Sequence, residues 1–340
     1  MTPSTQTIGV IGAGAIAQQH LQAISGDMAV TRVIVADTDP ARLADVAQRY
    51  RVHQTVTDYK SILNDPSVDA VIVCLPHWLH APVTLEALSA GKDVIVEKPI
   101  ATTLEDARAM IAAADSKGKR LYVSLNQMFF PCHREAHRLV REGAIGRPFM
   151  MQMVCVGSAM VEFNEPDNWK GHPVKAGGGV LIDTGNHFNY LTLYHWGRPV
   201  AVRATGLQAA VTAGNKAEDT GSVILEYPDA LVSHTLTYAA MGSFWQEYWH
   251  IVGTEGCIRG SHDNTAPLML TTRHQTSVIE LPALEPNWFT WTVGQSCLHA
   301  LECLRTGAPF EVQPQQAVGA LEMALAAYTS AQSGQRVLLD

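Results

Sequence analysis

The chain has 340 residues, 47% hydrophobic and 16% charged, the balance of a globular protein long enough for two cores. Its net charge of −8, with no Lys/Arg run, argues against nucleic acid and against an anionic membrane, since both need a positive patch. No apolar run is long enough to cross a bilayer, Met1 to Gln6 lack a leader pattern, and the six cysteines are scattered with no Cys-x-x-Cys pair; a cytoplasmic protein with free, buried thiols is expected.

The first predicted strand, Thr7 to Ile11, runs into Gly12-Ala13-Gly14-Ala15-Ile16-Ala17 and then a helix through His20, Leu21 and Ile24. In this G-x-G-x-x-A pattern Gly12 permits a tight turn, Gly14 lets the backbone approach a pyrophosphate, and small Ala17 lets helix pack on strand. A second strand, Arg32 to Ala36, ends in Asp37, at the spacing of an acid that binds a ribose 2′-hydroxyl. A carboxylate there repels a 2′-phosphate, so NAD is favoured over NADP. Helices are then predicted over Ala41–Tyr50, Asp58–Leu63, Pro82–Ala90 and Thr103–Lys117, alternating with strands over Asp69–Leu75, Asp93–Val96 and Arg120–Val123. This alternation predicts an α/β fold with a doubly wound parallel sheet and a ligand at the carboxyl ends of its strands. Pro76 to His80 and Glu97-Lys98-Pro99 leave those ends, which puts Lys98 beside the expected cofactor cleft. His77 and His80 form a His-x-x-His pair without a third ligand nearby, so no metal is expected.

A domain boundary falls near Ser124–Asn126. Beyond a helix over Pro131–Glu142 the pattern turns strand-rich: Phe149–Val156, Val200–Ala209, Gly221–Tyr227, Leu231–Tyr238, Glu247–Gly253, Cys257–Gly260 and Leu268–Thr272. Short turns between consecutive strands make the sheet mostly antiparallel. Helices over Val293–Arg305 and Gln315–Ser330 and a last strand over Val337–Leu339 follow. The chain is thus read as domains 1–124 and 125–340, with the last helices free to pack back on the first.

Within the second domain, Gly177-Gly178-Gly179 precede an apolar run read as a helix ending near Trp196–Pro199. Such a backbone can lie close against a flat ligand or against another chain segment. Asp183 and His187 are four apart on that helix and face the same way. A carboxylate beside an imidazole suits proton transfer, although the same spacing also describes a surface pair. The polar loop Ser158–Ala176 carries Asn164, Asn168, Trp169, Lys170 and His172, groups that hydrogen-bond and stack on a pyranose. Trp245, Trp249, Trp288 and Trp291 fit an interface or core better than a binding site.

The Gly12–Ala17 loop, Glu97-Lys98-Pro99, Gly143-Ala144-Ile145-Gly146-Arg147-Pro148 and the glycine run with Asp183 and His187, in this order, make the chain resemble the Gfo/Idh/MocA family of sugar and polyol oxidoreductases over almost its whole length. The resemblance implies an N-terminal Rossmann domain and a C-terminal α/β domain with a large open sheet that pairs between subunits as a homodimer or homotetramer. It implies a cofactor site of Gly12, Gly14, Ala15, Ile16, Asp37, Leu75, Pro76, His80, Glu97, Lys98 and Asn126. Lys98, Asp183 and His187 would be catalytic, His187 taking the hydroxyl proton as hydride leaves, with Met128, Trp169 and His172 on the substrate. Three positions depart from the family pattern. Asn126-Gln127-Met128-Phe129 has Met128 where many relatives carry Arg, His77 stands where Asn is frequent, and His172 stands where an acid often follows the Trp169-Lys170 pair. These point to a specialised sugar pocket. The expected activity is NAD-dependent oxidation of a secondary alcohol of a sugar, cyclic polyol or glycoside. The alternatives are an NAD-dependent glycoside hydrolase working through transient oxidation and elimination, and a non-catalytic NAD-binding sensor.

Overall fold

A computed structural model describes residues 5–165, 168–210, 216–262, 267–285 and 287–339. Met1–Ser4, where a leader pattern was sought, and Pro166 and Asp167 of the polar loop lie outside the described residues. The chain divides into two units, Met1–Asn126 with Glu285–Val318, and Gln127–Leu284 with Gly319–Asp340.

The first unit alternates strand and helix as its periodicity predicts. Strands β1 (Gln6–Ile11), β2 (Val30–Ala36), β3 (Gln54–Val56), β4 (Ala70–Val73), β5 (Asp93–Glu97) and β6 (Leu121–Ser124) form one sheet in the order β3-β2-β1-β4-β5-β6. Every neighbouring pair in it is parallel. All of β4 is buried and only the first residue of β5 is not, as expected of strands covered on both faces. The helices are α1 (Ala15–Gly26), α2 (Pro40–Arg49), α3 (Lys60–Leu63), α4 (His80–Ser89) and α5 (Leu104–Lys117). Helix α1 buries Ala17, His20, Leu21 and Ile24, one stripe at helical spacing. Helix α5 starts where Thr103 accepts the Asp106 N–H and stops at Gly118, whose φ of 60° suits a residue without a Cβ. The sequence pattern missed β3, an exposed edge strand of three residues with no apolar alternation.

The second unit carries helices α6 (Pro131–Arg141), α7 (Met160–Asn164), α8 (Pro173–Ala176) and α9 (Thr184–Trp196). Its strands are β7 (Pro148–Gly157), β8 (Ala201–Leu207), β9 (Thr220–Glu226), β10 (Leu231–Thr237), β11 (Trp245–Gly253), β12 (Gly256–Ser261), β13 (Leu268–Thr272), β14 (Thr276–Ile279) and β15 (Val337–Leu338). They form a nine-stranded sheet, β14-β13-β12-β11-β7-β10-β9-β8-β15, antiparallel except where β10 pairs with β7. The sheet has two unlike faces. The register row Val223, His234, Met153, Trp249 and Gly260 is buried, and the helices cover that side. The row Arg203, Ile224, Ser233, Gln152, His250, Arg259, Met269 and Val278 contains no buried residue.

Two long helices, α10 (Trp288–Thr306) and α11 (Pro314–Ser333), follow β14. Helix α10 belongs to the first unit, where it packs on α1. It begins five residues before the predicted start at Val293, because Asn287 caps it by accepting the Thr290 N–H at 3.0 Å.

Candidate functional site

In the first unit the predicted cofactor residues gather at the carboxyl ends of adjacent strands. Gly12 follows β1 with φ of 100°, and a Cβ there would lie 2.3 Å from the Cys74 carbonyl oxygen, so only glycine fits this turn. Gly14 is different. A Cβ on it would meet nothing within 4 Å, and its position at the head of α1 has no side-chain cap. The leading amides of a twelve-residue helix, Ala15 and Ile16 first, therefore border open space, which suits a pyrophosphate. Asp37, part-exposed at the end of β2, accepts the Ala13 N–H at 2.7 Å and the Asp39 N–H at 2.9 Å. It thus braces the glycine loop whose ligand it is read to select.

Leu75 and Pro76 leave β4, and His80 ties them down. Its ring is fully buried, with Nε2 2.7 Å from the Leu75 oxygen and Nδ1 2.7 Å from that of Pro99. Burial holds its pKa below the usual histidine value. Glu97 is likewise buried, 2.7 Å from His20 Nε2 and accepting the Lys98 N–H at 3.2 Å. Burial disfavours the His20 cation, but Cys297 and Glu97 beside it outweigh that and raise the ring to about 10. Against burial, His20 and then Lys98 hold the Glu97 carboxyl low. Lys98 itself is part-exposed, while every other residue from Val94 to Ala101 is buried. Asn126, after β6, is buried and donates to Thr292 of α10 at 3.0 Å.

In the second unit the glycine run meets a chain segment. A Cβ on Gly178 would lie 1.9 Å from the Tyr328 hydroxyl, and one on Gly179 1.9 Å from the Glu218 carbonyl oxygen. Glu218 accepts the N–H groups of Gly179 and Leu181 at 3.0 and 2.9 Å and the Tyr328 hydroxyl at 2.7 Å. Burial still leaves its carboxyl raised. This latch fixes the entry to α9. Asp183 takes the cap position one residue ahead of the helix, where the sequence reading put it within the helix. It accepts the Tyr238 hydroxyl at 3.1 Å. His187 Nδ1 lies 2.5 Å from the Tyr190 hydroxyl, which accepts the Gln127 N–H at 3.0 Å. From Val180 to Thr192, Asp183 and His187 are the only two residues that are not buried.

The remaining predicted substrate residues fall in two places. Met128, 2% exposed, sits in the turn Asn126–Phe129, packed away from solvent. Trp169, which opens the turn Trp169–Gly171, and His172, which follows it, are part-exposed, and Asn168 caps the turn by accepting the Lys170 N–H at 3.1 Å. Of the tryptophans weighed as interface or core, Trp249 is fully buried.

Sequence reasoning missed Tyr190, Tyr238, Gln127 and Glu247. Tyr190 left a signal, since a residue three beyond His187 shares its helical face; the others are brought in by tertiary packing. Glu247, 2% exposed, accepts from Trp245 Nε1 at 2.9 Å and Gln127 Nε2 at 3.3 Å, and its Oε2 is 2.6 Å from His262 Nδ1. His262 Nε2 lies 2.5 Å from His133 Nε2, and His133 Nδ1 lies 3.1 Å from His195 Nε2. Burial and then His262 and His195 push His133 well below the usual histidine value, while burial and then His137 take His195 down to about 3.

Comparison with known proteins agrees with this architecture. Levoglucosan dehydrogenase of Pseudarthrobacter phenanthrenivorans is 30% identical over 205 residues, 58% of this chain; the match spans about half of that enzyme's length, 53%. D-apiose dehydrogenase of Paraburkholderia graminis is 28% identical over 97% of this chain and 88% of its own. The crystal structure of GenD2 from gentamicin A biosynthesis in complex with NAD has a TM-score of 0.86 at 26% identity, covering 99% of this chain and 97% of that one. Residues 6–125 match the Gfo/Idh/MocA oxidoreductase family, NAD-binding Rossmann fold, and residues 133–259 match the Gfo/Idh/MocA C-terminal domain. The chain therefore belongs to the Gfo/Idh/MocA oxidoreductase family, and its first unit is that family's NAD-binding Rossmann fold.

Proposed function

We propose that the protein is an NAD-dependent dehydrogenase of a secondary alcohol on a sugar, cyclic polyol or glycoside, with Lys98, Asp183 and His187 handling the proton. The observation that carries this reading is the pattern of exposure: three ionisable groups, each left part-open in a stretch that is otherwise buried. Packing alone does not ask for that, since lysine, aspartate and histidine contribute little to an apolar interior. Relatives named as levoglucosan and D-apiose dehydrogenases support the substrate class.

The open space at Gly14 and the uncapped head of α1 fit a pyrophosphate, and Asp37 fits an adenosine ribose. When bound, NAD accepts the hydride. The chain's own groups do the rest. The Lys98 ammonium donates to the substrate oxygen and favours its alkoxide character, and His187 Nε2 takes the hydroxyl proton. Asp183 keeps a negative charge near the ring as it becomes an imidazolium. Trp169 offers a stacking face and His172 a hydrogen-bonding group for a sugar. A second copy of the chain covers the open face of the nine-stranded sheet, where Ile224 and Val278 are exposed.

A panel of free sugars, inositols and glycosides with NAD tests the reading. Steady NADH growth with one of them is the expected result. Glycoside cleavage without net NADH would select the hydrolase, and NAD binding without turnover across the panel the sensor. Cofactor choice gives a separate check. Asp37→Asn keeps an acceptor for the Ala13 N–H but removes the charge, so the ratio of kcat/KM for NADP to that for NAD should rise about tenfold or more. An unchanged ratio would remove Asp37 from cofactor selection.

A further inference from the structure

His187 is gripped on the side away from its proposed chemistry. Its Nδ1 lies 2.5 Å from the hydroxyl of Tyr190, a side chain with no exposed surface. That hydroxyl oxygen also accepts the Gln127 N–H at 3.0 Å, so the phenol is held from two sides. A phenolic oxygen has two lone pairs. With the Gln127 N–H on one, the other can accept a proton from Nδ1, the arrangement required if Nε2 is the base; the reverse, the phenol O–H donating to Nδ1, would put the ring proton on Nε2. A neutral imidazole with Nδ1 protonated has its lone pair on Nε2, the nitrogen that must take a hydroxyl proton.

The grip is itself anchored. Gln127 Nε2 donates to Glu247 at 3.3 Å, and Glu247 is fixed by Trp245 Nε1 at 2.9 Å and by His262. A carboxylate can only accept here, so His262 donates through Nδ1; its Nε2 lies 2.5 Å from His133 Nε2, and His133 Nδ1 lies 3.1 Å from His195 Nε2. His262, His133 and His195 thus form one buried row behind Glu247. Asp183 is held separately, by Tyr238.

We propose that Tyr190 is the positioning residue of His187, holding its ring with the proton on Nδ1 and the lone pair on Nε2, and that Gln127 and Glu247 fix Tyr190 in turn. This rests on the reading of His187 as the base. The test is a double-mutant cycle read by pH profile. Tyr190→Phe should lower kcat about tenfold to hundredfold, the effect of losing one hydrogen bond to a group that becomes charged, with KM nearly unchanged. The acidic limb of its kcat profile should also move. Added to His187→Ala, Tyr190→Phe should cause no further loss. A wild-type rate and profile in Tyr190→Phe, with His187→Ala inactive, overturns the positioning role alone. Multiplicative losses in the double variant overturn it too, since Tyr190 would then act elsewhere. Full turnover in His187→Ala removes the base, and this proposal with it. Should Tyr190→Phe fail to fold, nitrogen-15 NMR of histidine-labelled wild-type protein, with His187 assigned by its absence in His187→Ala, reads the tautomer directly: Nδ1–H is expected, and Nε2–H overturns the assignment.

Discussion

His187→Ala and Lys98→Ala are each expected to slow turnover by about 10²- to 10⁴-fold, the range for losing a positioned proton-transfer or charge-stabilising group. NAD affinity should stay close to wild type. The glycine loop is held by Gly12 against Cys74 and by Asp37 on the Ala13 N–H, and neither contact involves these two side chains. Truncating Lys98 leaves its backbone N–H on Glu97, and Glu97 on His20. Truncating His187 leaves α9 latched at its start by Glu218 and Tyr328. Lys98→Arg should not restore the rate, because a forked guanidinium cannot reproduce a compact ammonium at one oxygen. Steady-state rates paired with NAD titration by fluorescence make the comparison. If affinity for NAD falls in step with turnover in both variants, these groups belong to cofactor binding and the proposed chemistry is wrong.

The second large effect concerns pH. His133, His195 and His234 are fully buried and held well below the ordinary histidine range, His195 and His234 at about 3, with burial as the leading cause in each. In the unfolded chain the same rings bind protons near pH 6.5. Below that pH the unfolded state therefore carries more protons than the native one, and stability falls as pH falls. Each ring contributes about 2 kcal/mol of loss between pH 7 and pH 5, about 6 kcal/mol for the three, which is comparable with the total stability of an ordinary domain. His20 acts in the opposite direction and another window. Raised to about 10, its contribution is intact below 6.5 and is lost as pH climbs through 10. Urea midpoints between pH 7 and 5 should fall steeply, with close to three protons taken up per molecule on unfolding at the acid end. Midpoints that stay level over that range would mean the three rings are not held neutral in the folded state.

How much of this could be read from residues alone depended on where the information lay. Strands β4 and β5 were legible because burial on both faces leaves an unbroken apolar run. Edge strands β3 and β14 were not, since their side chains are mostly open and need no alternation. Lys98 stood out at the carboxyl end of a strand, and Asp183 and His187 by their four-residue spacing after a glycine run. Their supports did not. Glu247 lies 120 residues from the Gln127 it holds, His262 lies 129 from His133, and no local pattern announces such pairs. The glycine run shows the limit most clearly. Its conformational freedom was evident, but whether a ligand or a chain segment lay against it required Glu218 and Tyr328 to be seen there.

The dinucleotide-binding unit is assembled from separated stretches of chain, Met1–Asn126 and Glu285–Val318. Tyr122 bonds to Ser296 at 2.9 Å, Asn126 to Thr292 at 3.0 Å, and Arg120 to the carbonyl oxygens of Cys303 and Ala308. During translation its six parallel strands thus leave the ribosome well before the helix that satisfies these groups. The unit cannot reach its final bonding until more than 150 further residues have been made. A fragment cut after β6 would retain the glycine loop and Asp37 yet leave Tyr122 and Arg120 without these partners, so a cut at the apparent domain border strips the dinucleotide-binding unit of part of its own bonding.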